Sequence, residues 1–168
     1  MTPAELLVDG YDRIQQVVHQ TVSGLSPDRL ALRPTPDANS IAWLVWHLTR
    51  VQDDHVAEVA EREQIWTADG WASRFSLPLE EADTGYGHST EDVAKVRVAS
   101  GDLLTGYYDG VHAATLGYLR GLDEGDLDRI VDRRWTPAVT LGVRLVSVLD
   151  DDLQHAGQAA YVRGLLRA

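Results

Sequence analysis

The chain has 168 residues, of which 15 are lysine or arginine and 26 are aspartate or glutamate, so its formal net charge is −11. It contains no cysteine, which excludes disulfides and a cysteine nucleophile and leaves nitrogen and oxygen as the ligands for any metal. The negative charge disfavours nucleic acid and anionic membranes as partners. The sequence opens without a leader-like segment and has no stretch of about eighteen apolar residues, so we expect a cytoplasmic protein with one domain over residues 1–168.

The spacing of apolar residues predicts four long helices. In chain order, they cover residues 4–23, 41–64, 104–122 and 141–166. Asn39 or Ser40 is the expected N-cap of the second helix and Thr140 that of the fourth, because side-chain oxygens at these positions accept hydrogen bonds from first-turn amides.

The connections between the helices are irregular. Pro34 and Pro36 break regular structure before the second helix. Residues 66–89 contain aromatic side chains without a period, which predicts a long loop that packs over the core or over a pocket. Residues 129–136 are compatible with a short strand or hairpin. These patterns together predict an all-α fold, a four-helix bundle with long crossover loops and a short hairpin before the last helix, in which sites form between facing helices.

The last predicted helix carries an aspartate and a histidine on one side. With about 100° per residue, His155 lies on the apolar stripe of this helix with Val148 and Val162, and Asp151 lies about 40° away. Both side chains can therefore face the interior of the bundle, one turn apart. A buried carboxylate is costly unless a cation, a hydrogen-bond network or a metal compensates for it.

The second predicted helix supplies a candidate third group. His47 lies in the continuously apolar stretch of residues 43–48 and must be largely buried. Asp54 points about 20° from His47, whereas His55 lies nearer the centre of the apolar stripe, so either histidine is a candidate to face the interior. Two histidines and a carboxylate leave coordination positions open, which is typical of a catalytic metal site. The spacing is also compatible with hydrogen-bonded core histidines and a solvated aspartate face.

The remaining histidines are weaker candidates. His19 and His112 lie beside their apolar stripes, which favours surface positions. His88 lies in the aromatic loop, where it could turn the chain or line a pocket. The sequence has no G-x-S-x-G nucleophile turn and no glycine-rich phosphate loop, so these motifs give no support to a serine hydrolase or a nucleotide-binding protein.

Three segments resemble a known superfamily. They are N-S-I-A-W-L-V-W-H-L-T-R-V-Q-D-D-H over residues 39–55, L-L-x-x-Y-Y over residues 103–108, and the run over residues 139–161 that contains D-D-D-L-Q-H-A-G-Q. These residues resemble the DinB-like, YfiT-type superfamily of metal-dependent four-helix proteins, in particular its actinobacterial branch related to mycothiol-dependent transferases and isomerases. The resemblance extends over nearly the whole chain.

The resemblance implies a metal site. In the family pattern, one metal histidine lies in the second helix, and a His or Glu followed four residues later by a His and then x-G-Q lies in the fourth. His47, Asp151 and His155 match these positions and are the implied ligands, with Asp151 one methylene shorter than glutamate. The resemblance implies a divalent metal, which we expect to be Zn²⁺, with Ni²⁺ or Fe²⁺ as alternatives.

The activity that the resemblance implies is metal-dependent transfer of a low-molecular-weight thiol such as mycothiol to an electrophile, with the thiol bound as a thiolate. Arg50 and His55 are candidates to bind the thiol cosubstrate, and Asp54 and Gln158 are candidate catalytic residues, Gln158 by orienting Asp151. We expect a transferase, because the family's isomerases use a further C-terminal domain that these 168 residues do not include. The resemblance also implies a homodimer. The alternative is a non-catalytic helical module that binds a metal or ligand in a stress response.

Overall fold

Helices make up most of the fold. In the computed structural model, which describes residues 1–166, the helices in chain order are α1 (Pro3–Val22), α2 (Pro27–Ala31), α3 (Ile41–Val59), α4 (Ile65–Ala68), α5 (Trp71–Phe75), α6 (Thr90–Lys95), α7 (Gly101–Leu119) and α8 (Leu141–Leu165). Two short strands, β1 (Ile130–Asp132) and β2 (Val139–Thr140), pair antiparallel just before α8. Both α8 and α7 pack against α1 and α3, which closes a bundle of the four long helices. The predicted all-α four-helix bundle and its hairpin are confirmed.

Local sequence signals set the starts of the long helices. Thr2 and Glu5 form a capping box at the start of α1. The Ser40 hydroxyl accepts a hydrogen bond from the backbone amide of Trp43 at 3.1 Å, and Thr140 caps α8 in the same way. Each cap satisfies an amide that has no partner within its own helix.

Helix α3 is enclosed on nearly all sides. Every residue from Ile41 to Arg50 is buried, because the bundle covers one side of the helix and residues 60–100 pack over the other. The prediction that the aromatic side chains of this segment pack over the core holds for Trp66, Trp71 and Phe75, whose rings lie 5.1–6.4 Å from one another and from the ring of Tyr107 in α7. Tyr86 is an exception, because it is 92% exposed. The rings of this aromatic cluster are those of Trp66, Trp71, Phe75 and Tyr107.

Helix α3 ends at Val59, and the sequence prediction of an end near Gln64 is wrong. The cause lies in Asp53, whose carboxylate accepts hydrogen bonds from the backbone amides of Ile65 at 2.9 Å and Trp66 at 2.8 Å. These bonds cap the N-terminus of α4 and hold the reversed chain against α3. The segment predicted to be one long loop accordingly contains the short helices α4 and α5.

The third long helix is displaced by three residues from its predicted bounds. It begins at Gly101, where a Cβ atom would lie 2.6 Å from a methyl group of Val22, so glycine lets α7 start in close contact with α1. It ends at Leu119. Over residues 1–166, none of the helices combines the length and the apolar character that crossing a bilayer requires.

Candidate metal centre

Three candidate metal ligands converge between α3 and α8. The two helices run in opposite directions, so that His55 near the end of α3 lies beside Arg144 near the start of α8. Further along the pair, the ring centroids of His47 and His155 are 4.8 Å apart. The ligand atoms of His47, Asp151 and His155 all lie within 4.8 Å of one another. In the described part of the chain, this is the single group of three or more such residues.

Hydrogen bonds fix the orientation of both imidazole rings. The Nδ1 atom of His47 donates to the backbone carbonyl of Thr84 at 2.5 Å. The Nδ1 atom of His155 donates to the side-chain oxygen of Gln158 at 3.1 Å. Because both partners are acceptors, Nδ1 carries the hydrogen in each ring, and Nε2 keeps its lone pair when the ring is neutral. Metal-binding histidines are commonly held in this way.

Asp151 completes the cluster with a carboxylate. Its Oδ1 atom lies 3.6 Å from Nε2 of His155. Its Oδ2 atom is shielded from solvent and has no hydrogen-bond partner within residues 1–166, which is costly for a carboxylate. A cation held by Asp151 and the two Nε2 atoms would remove that cost. The residues therefore fit a divalent cation that takes nitrogen and oxygen ligands and keeps a coordination position open.

The three ligand side chains influence one another's pKa values. Burial lowers the pKa of His47, so that this ring is neutral near pH 7. Burial raises the pKa of Asp151, but the close contact with His155 and the charge of that ring outweigh burial and lower it overall. For His155, burial lowers the pKa, but the contacts with Asp151 and Gln158 outweigh it and raise the pKa overall. A cation at Nε2 of His155 would compete with a proton for the same lone pair.

A loop of residues 83–88 covers the cluster. The Asp83 carboxylate accepts hydrogen bonds from Nε2 of His88 at 2.9 Å and from the backbone amide of Gly85 at 2.7 Å. Nδ1 of His88 in turn accepts from the indole nitrogen of Trp43 at 3.0 Å. His88 thus connects the loop to α3. Of the two roles that the sequence allowed for His88, turning the chain and lining a pocket, the structure shows the first.

Gly85 is required where the loop meets α3. Its φ is +91°, and a Cβ atom there would lie 2.7 Å from Nδ1 of His47 and 3.0 Å from the ring of Trp46. Only glycine tolerates both the conformation and the contact. Sequence reasoning identified neither Thr84 nor Gly85 as part of the site. The glycines at positions 85 and 87 of G-Y-G-H were the sequence signal that the loop backbone comes close to another element, here α3.

Arg50 lies in a buried network away from the three ligands. Its guanidinium donates to the backbone carbonyl of Asp83 at 3.1 Å. It also donates to the side-chain oxygen of Gln64 at 2.7 Å and to the hydroxyl of Tyr107 at 3.2 Å. Arg50 therefore braces the covering loop against α7. Its binding of a thiol cosubstrate stays a prediction.

Asp54 and His55 lie about two turns beyond His47 on α3 and outside the ligand cluster. Gln64 donates to Asp54 at 2.7 Å, and Arg144 donates to Nδ1 of His55 at 3.0 Å. Burial and the charge of Arg144 lower the pKa of His55, so its ring is neutral near pH 7. Of the two histidines that the helical pattern left open, His47 is the one that joins the ligand cluster.

Gln158 supports a different ligand from the one expected. Its position on the helical wheel predicts that it orients Asp151. The amide oxygen instead accepts the hydrogen bond from Nδ1 of His155. Gln158 therefore acts on the second imidazole, where it keeps the Nε2 atom directed at the cluster.

These features define a class of protein. Four long helices hold two histidines and an aspartate between α3 and α8, which makes this a helical-bundle protein with a candidate divalent-metal centre. A family model described as mycothiol-S-transferase matches residues 6–168. The chain therefore belongs to the mycothiol S-transferase family, and its bundle is of the DinB-like type.

A solved structure shares the whole fold. The chain is similar to a crystal structure described as the conserved protein of locus from Enterococcus faecalis, with a TM-score of 0.91 and 33% sequence identity. The match covers 97% of this chain and 96% of that chain. The comparison with curated proteins found no match. The superfamily resemblance inferred from the sequence is confirmed.

Proposed function

We propose that this protein transfers a low-molecular-weight thiol of the mycothiol type to an electrophile, using a divalent metal bound by His47, Asp151 and His155. The observation that carries the proposal is the orientation of the ligands. Both histidines bind an acceptor through Nδ1, and Asp151 keeps one shielded oxygen without a partner in the described chain. The family supports a thiol as the substrate.

A divalent cation, most simply Zn²⁺ with Ni²⁺ and Fe²⁺ as alternatives, supplies a Lewis acid that lowers the pKa of a thiol toward neutrality. Two neutral imidazoles and one carboxylate compensate a single charge of the cation, so the centre favours an anionic substrate group. The chain has no cysteine, so the reacting sulfur has to come from the substrate.

The residues around the centre have separate roles in this proposal. The Thr84 carbonyl and Gln158 hold the two imidazole rings. In the transfer, a sulfur lone pair forms the new carbon–sulfur bond, and the leaving group departs with its bonding pair. The thiol proton passes to bulk water. Asp54 follows His47 by two turns, about 10 Å along the same face of α3, and we propose that it contacts the part of the substrate that lies away from the sulfur.

The proposal includes the setting of the reaction. Low-molecular-weight thiols are kept reduced in the cytoplasm, which is the proposed location. The homodimer implied by the family is the proposed oligomeric state. Sedimentation measurements of the purified protein, with and without metal, check that state.

Metal analysis tests the centre. Protein purified without added metal should contain close to one equivalent, and His47→Ala and His155→Ala should each remove it. His19→Ala is the matched control, because His19 is exposed and contacts Asp109 between α1 and α7. Retention of one equivalent in both ligand variants would contradict the proposed centre.

Turnover tests the reaction. Consumption of a chloroaromatic or bimane electrophile should require both the metal and an added thiol, with mycothiol among the thiols compared. Loss of turnover in His155→Ala, with wild-type turnover in His19→Ala, supports the transferase. Metal binding without thiol-dependent turnover for any thiol would favour the non-catalytic binding module instead.

A further inference from the structure

The outer face of α8 is an apolar surface that no other element within residues 1–166 covers. On this face Val143 is 54% exposed, Val146 58%, Leu153 49% and Tyr161 69%. These four side chains lie within about 80° of one another around the helix, so they form one continuous strip. We call this surface the α8 stripe. Its exposed residues are Val143, Val146, Asp150, Leu153, Gly157, Ala160, Tyr161 and Gly164.

The α8 stripe differs from the rest of a strongly acidic chain. The net charge of the chain is −11, but Asp150 is the one charged residue among those that define the stripe, all of which the structure describes. A long apolar face on a soluble protein commonly marks an interaction surface. A lipid surface fits it poorly, because helices that lie on membranes carry Lys and Arg beside their apolar face. Here the flanking residues are Ser147, Gln154 and Gln158.

Large and small side chains are divided between the two halves of the α8 stripe. The first half carries its valines and its leucine, whereas the second half carries Gly157, Ala160 and Gly164. A Cβ atom at either glycine would meet nothing within 4 Å, so there is room above both positions. Such a surface is complementary to a copy of itself turned end to end. Two-fold interfaces require this self-complementarity.

An antiparallel pair of α8 helices, centred at residue 155, brings the two halves together. Residues at equal distances on either side of the centre then face each other across the pair. Val146 lies opposite Gly164 of the second copy, and Leu153 lies opposite Gly157 of the second copy. Each large side chain therefore meets a position that has room for it.

The same arrangement accommodates the one charge of the stripe. The two Asp150 carboxylates lie about 15 Å apart along the helix axes, which is beyond the screening length of about 8 Å at physiological salt. Each Asp150 instead lies beside Tyr161 of the second copy, whose hydroxyl group can donate a hydrogen bond to it. Repulsion between two acidic chains is thereby kept low at the contact.

We propose that the α8 stripe is the interface at which two copies of this chain pair antiparallel. The proposal rests on the homodimer of the proposed function and assigns its surface. Residues 143–164 extend over about 32 Å, and at a helix diameter of about 10 Å the stripe covers roughly 320 Å² per copy. Interfaces of this size belong to weak, reversible complexes. We therefore expect a dissociation constant in the micromolar range.

Sedimentation velocity between about 1 and about 200 µM protein tests the surface. The wild type should change from monomer to dimer over this range. Leu153→Glu should raise the dissociation constant about tenfold or more, because it places a charge in an apolar contact. Leu32→Glu is the matched control and should dimerise like the wild type, since Leu32 is 45% exposed and lies after α2, outside the stripe. Both positions are exposed, and an unchanged circular dichroism spectrum checks that the variants fold.

Two results of this experiment would overturn the proposal. One is a wild type that stays monomeric up to about 200 µM, which would leave the stripe to another partner. The other is an equal dissociation constant for Leu153→Glu and Leu32→Glu, which would place the dimer interface on a different face.

Disulfide trapping tests the antiparallel register. The chain has no cysteine, so introduced thiols are the only ones present. A mixture of Asp150→Cys and Ala160→Cys proteins should form linked heterodimers under mild oxidation, because these positions face each other. Either protein alone should link poorly, because identical positions lie about 15 Å apart along the axes, beyond the Cα–Cα limit of about 7 Å for a disulfide. Linking of either protein to itself as readily as in the mixture would indicate a parallel pair and overturn the proposal.

Turnover separates this proposal from the proposed activity. A wild type that is monomeric at all concentrations but transfers a thiol overturns the interface and leaves the transferase standing. A wild-type dimer that Leu153→Glu dissociates, without thiol transfer under any condition, supports the interface and overturns the transferase.

Discussion

Nδ1 of His47 donates to the backbone carbonyl of Thr84 at 2.5 Å, and this bond connects a candidate metal ligand to a loop 37 residues further along the chain. It depends on the next residue, Gly85, because any side chain there would meet the ring of His47. The loop thereby determines which nitrogen of His47 carries the hydrogen. A backbone carbonyl takes the supporting role that carboxylates and carbonyls have behind metal-bound histidines.

Gly85→Ala is expected to lower zinc affinity about tenfold or more, because the added methyl group forces the loop away from His47. Gly87→Ala is the matched control. Both glycines have positive φ, 91° and 72°, but a Cβ atom at Gly87 would meet nothing within 4 Å. Competition with a chromophoric chelator measures both affinities. Equal affinities in the two variants would contradict a role for the close approach.

Gln158→Ala is expected to lower zinc affinity about tenfold, because Nδ1 of His155 loses the acceptor that orients its ring. Gln154→Ala, one turn earlier on α8, is the control, since its amide donates to the exposed Asp150 at 2.8 Å. Nitrogen-15 NMR of the imidazoles should show His155 with mixed tautomers only in the first variant. A single unchanged tautomer in Gln158→Ala would show that this bond does not orient the ring.

The long helices could be predicted because their signals are local. Periodic apolar residues and the caps at Ser40 and Thr140 depend on residues close in sequence. The end of α3 could not be predicted, because the Asp53 carboxylate that caps α4 acts across the chain reversal. The bounds of the segment after Val59 are therefore decided by tertiary contacts that a helical pattern does not contain.

The candidate site was predictable to a similar extent. His47, Asp151 and His155 follow from helical geometry together with the family pattern, and the structure brings them together. The charge of Arg50 gives no sign in the sequence that its partners lie inside the protein, so its bonds to Asp83 and Gln64 could not be predicted. A helical wheel gives the direction of each Cβ atom but not the side-chain rotamer. It therefore could not show that Gln158 contacts His155 and not Asp151.

Asp53→Asn is expected to destabilise the protein by roughly 3 kcal/mol, because it leaves the buried Arg50 without its carboxylate and weakens the cap of α4. The Asp53 side chain is fully buried and also accepts from Tyr107 at 2.9 Å. Urea denaturation measures the free energy of unfolding, and Asp69→Asn, at an exposed position, is the control. A change below about 0.5 kcal/mol, as for ordinary surface substitutions, would contradict the structural role of this network.

Asp132 is expected to make stability depend on pH in acid. Its pKa is lowered to about 2 by the hydrogen bonds from the side chain and backbone of Arg134, with a further contribution from the charge of Arg144. The folded pKa lies below the unfolded value of about 3.9, so the stabilisation is present above about pH 4 and is lost as the pH falls toward 2.

Asp132→Asn should therefore lower Tm at pH 7, and the difference from wild type should narrow between pH 4 and pH 2. Thermal unfolding followed by circular dichroism measures both, with the exposed Asp128→Asn as control. A Tm difference that stays constant across this interval would show that packing at Asp132, and not its charge, supports the hairpin.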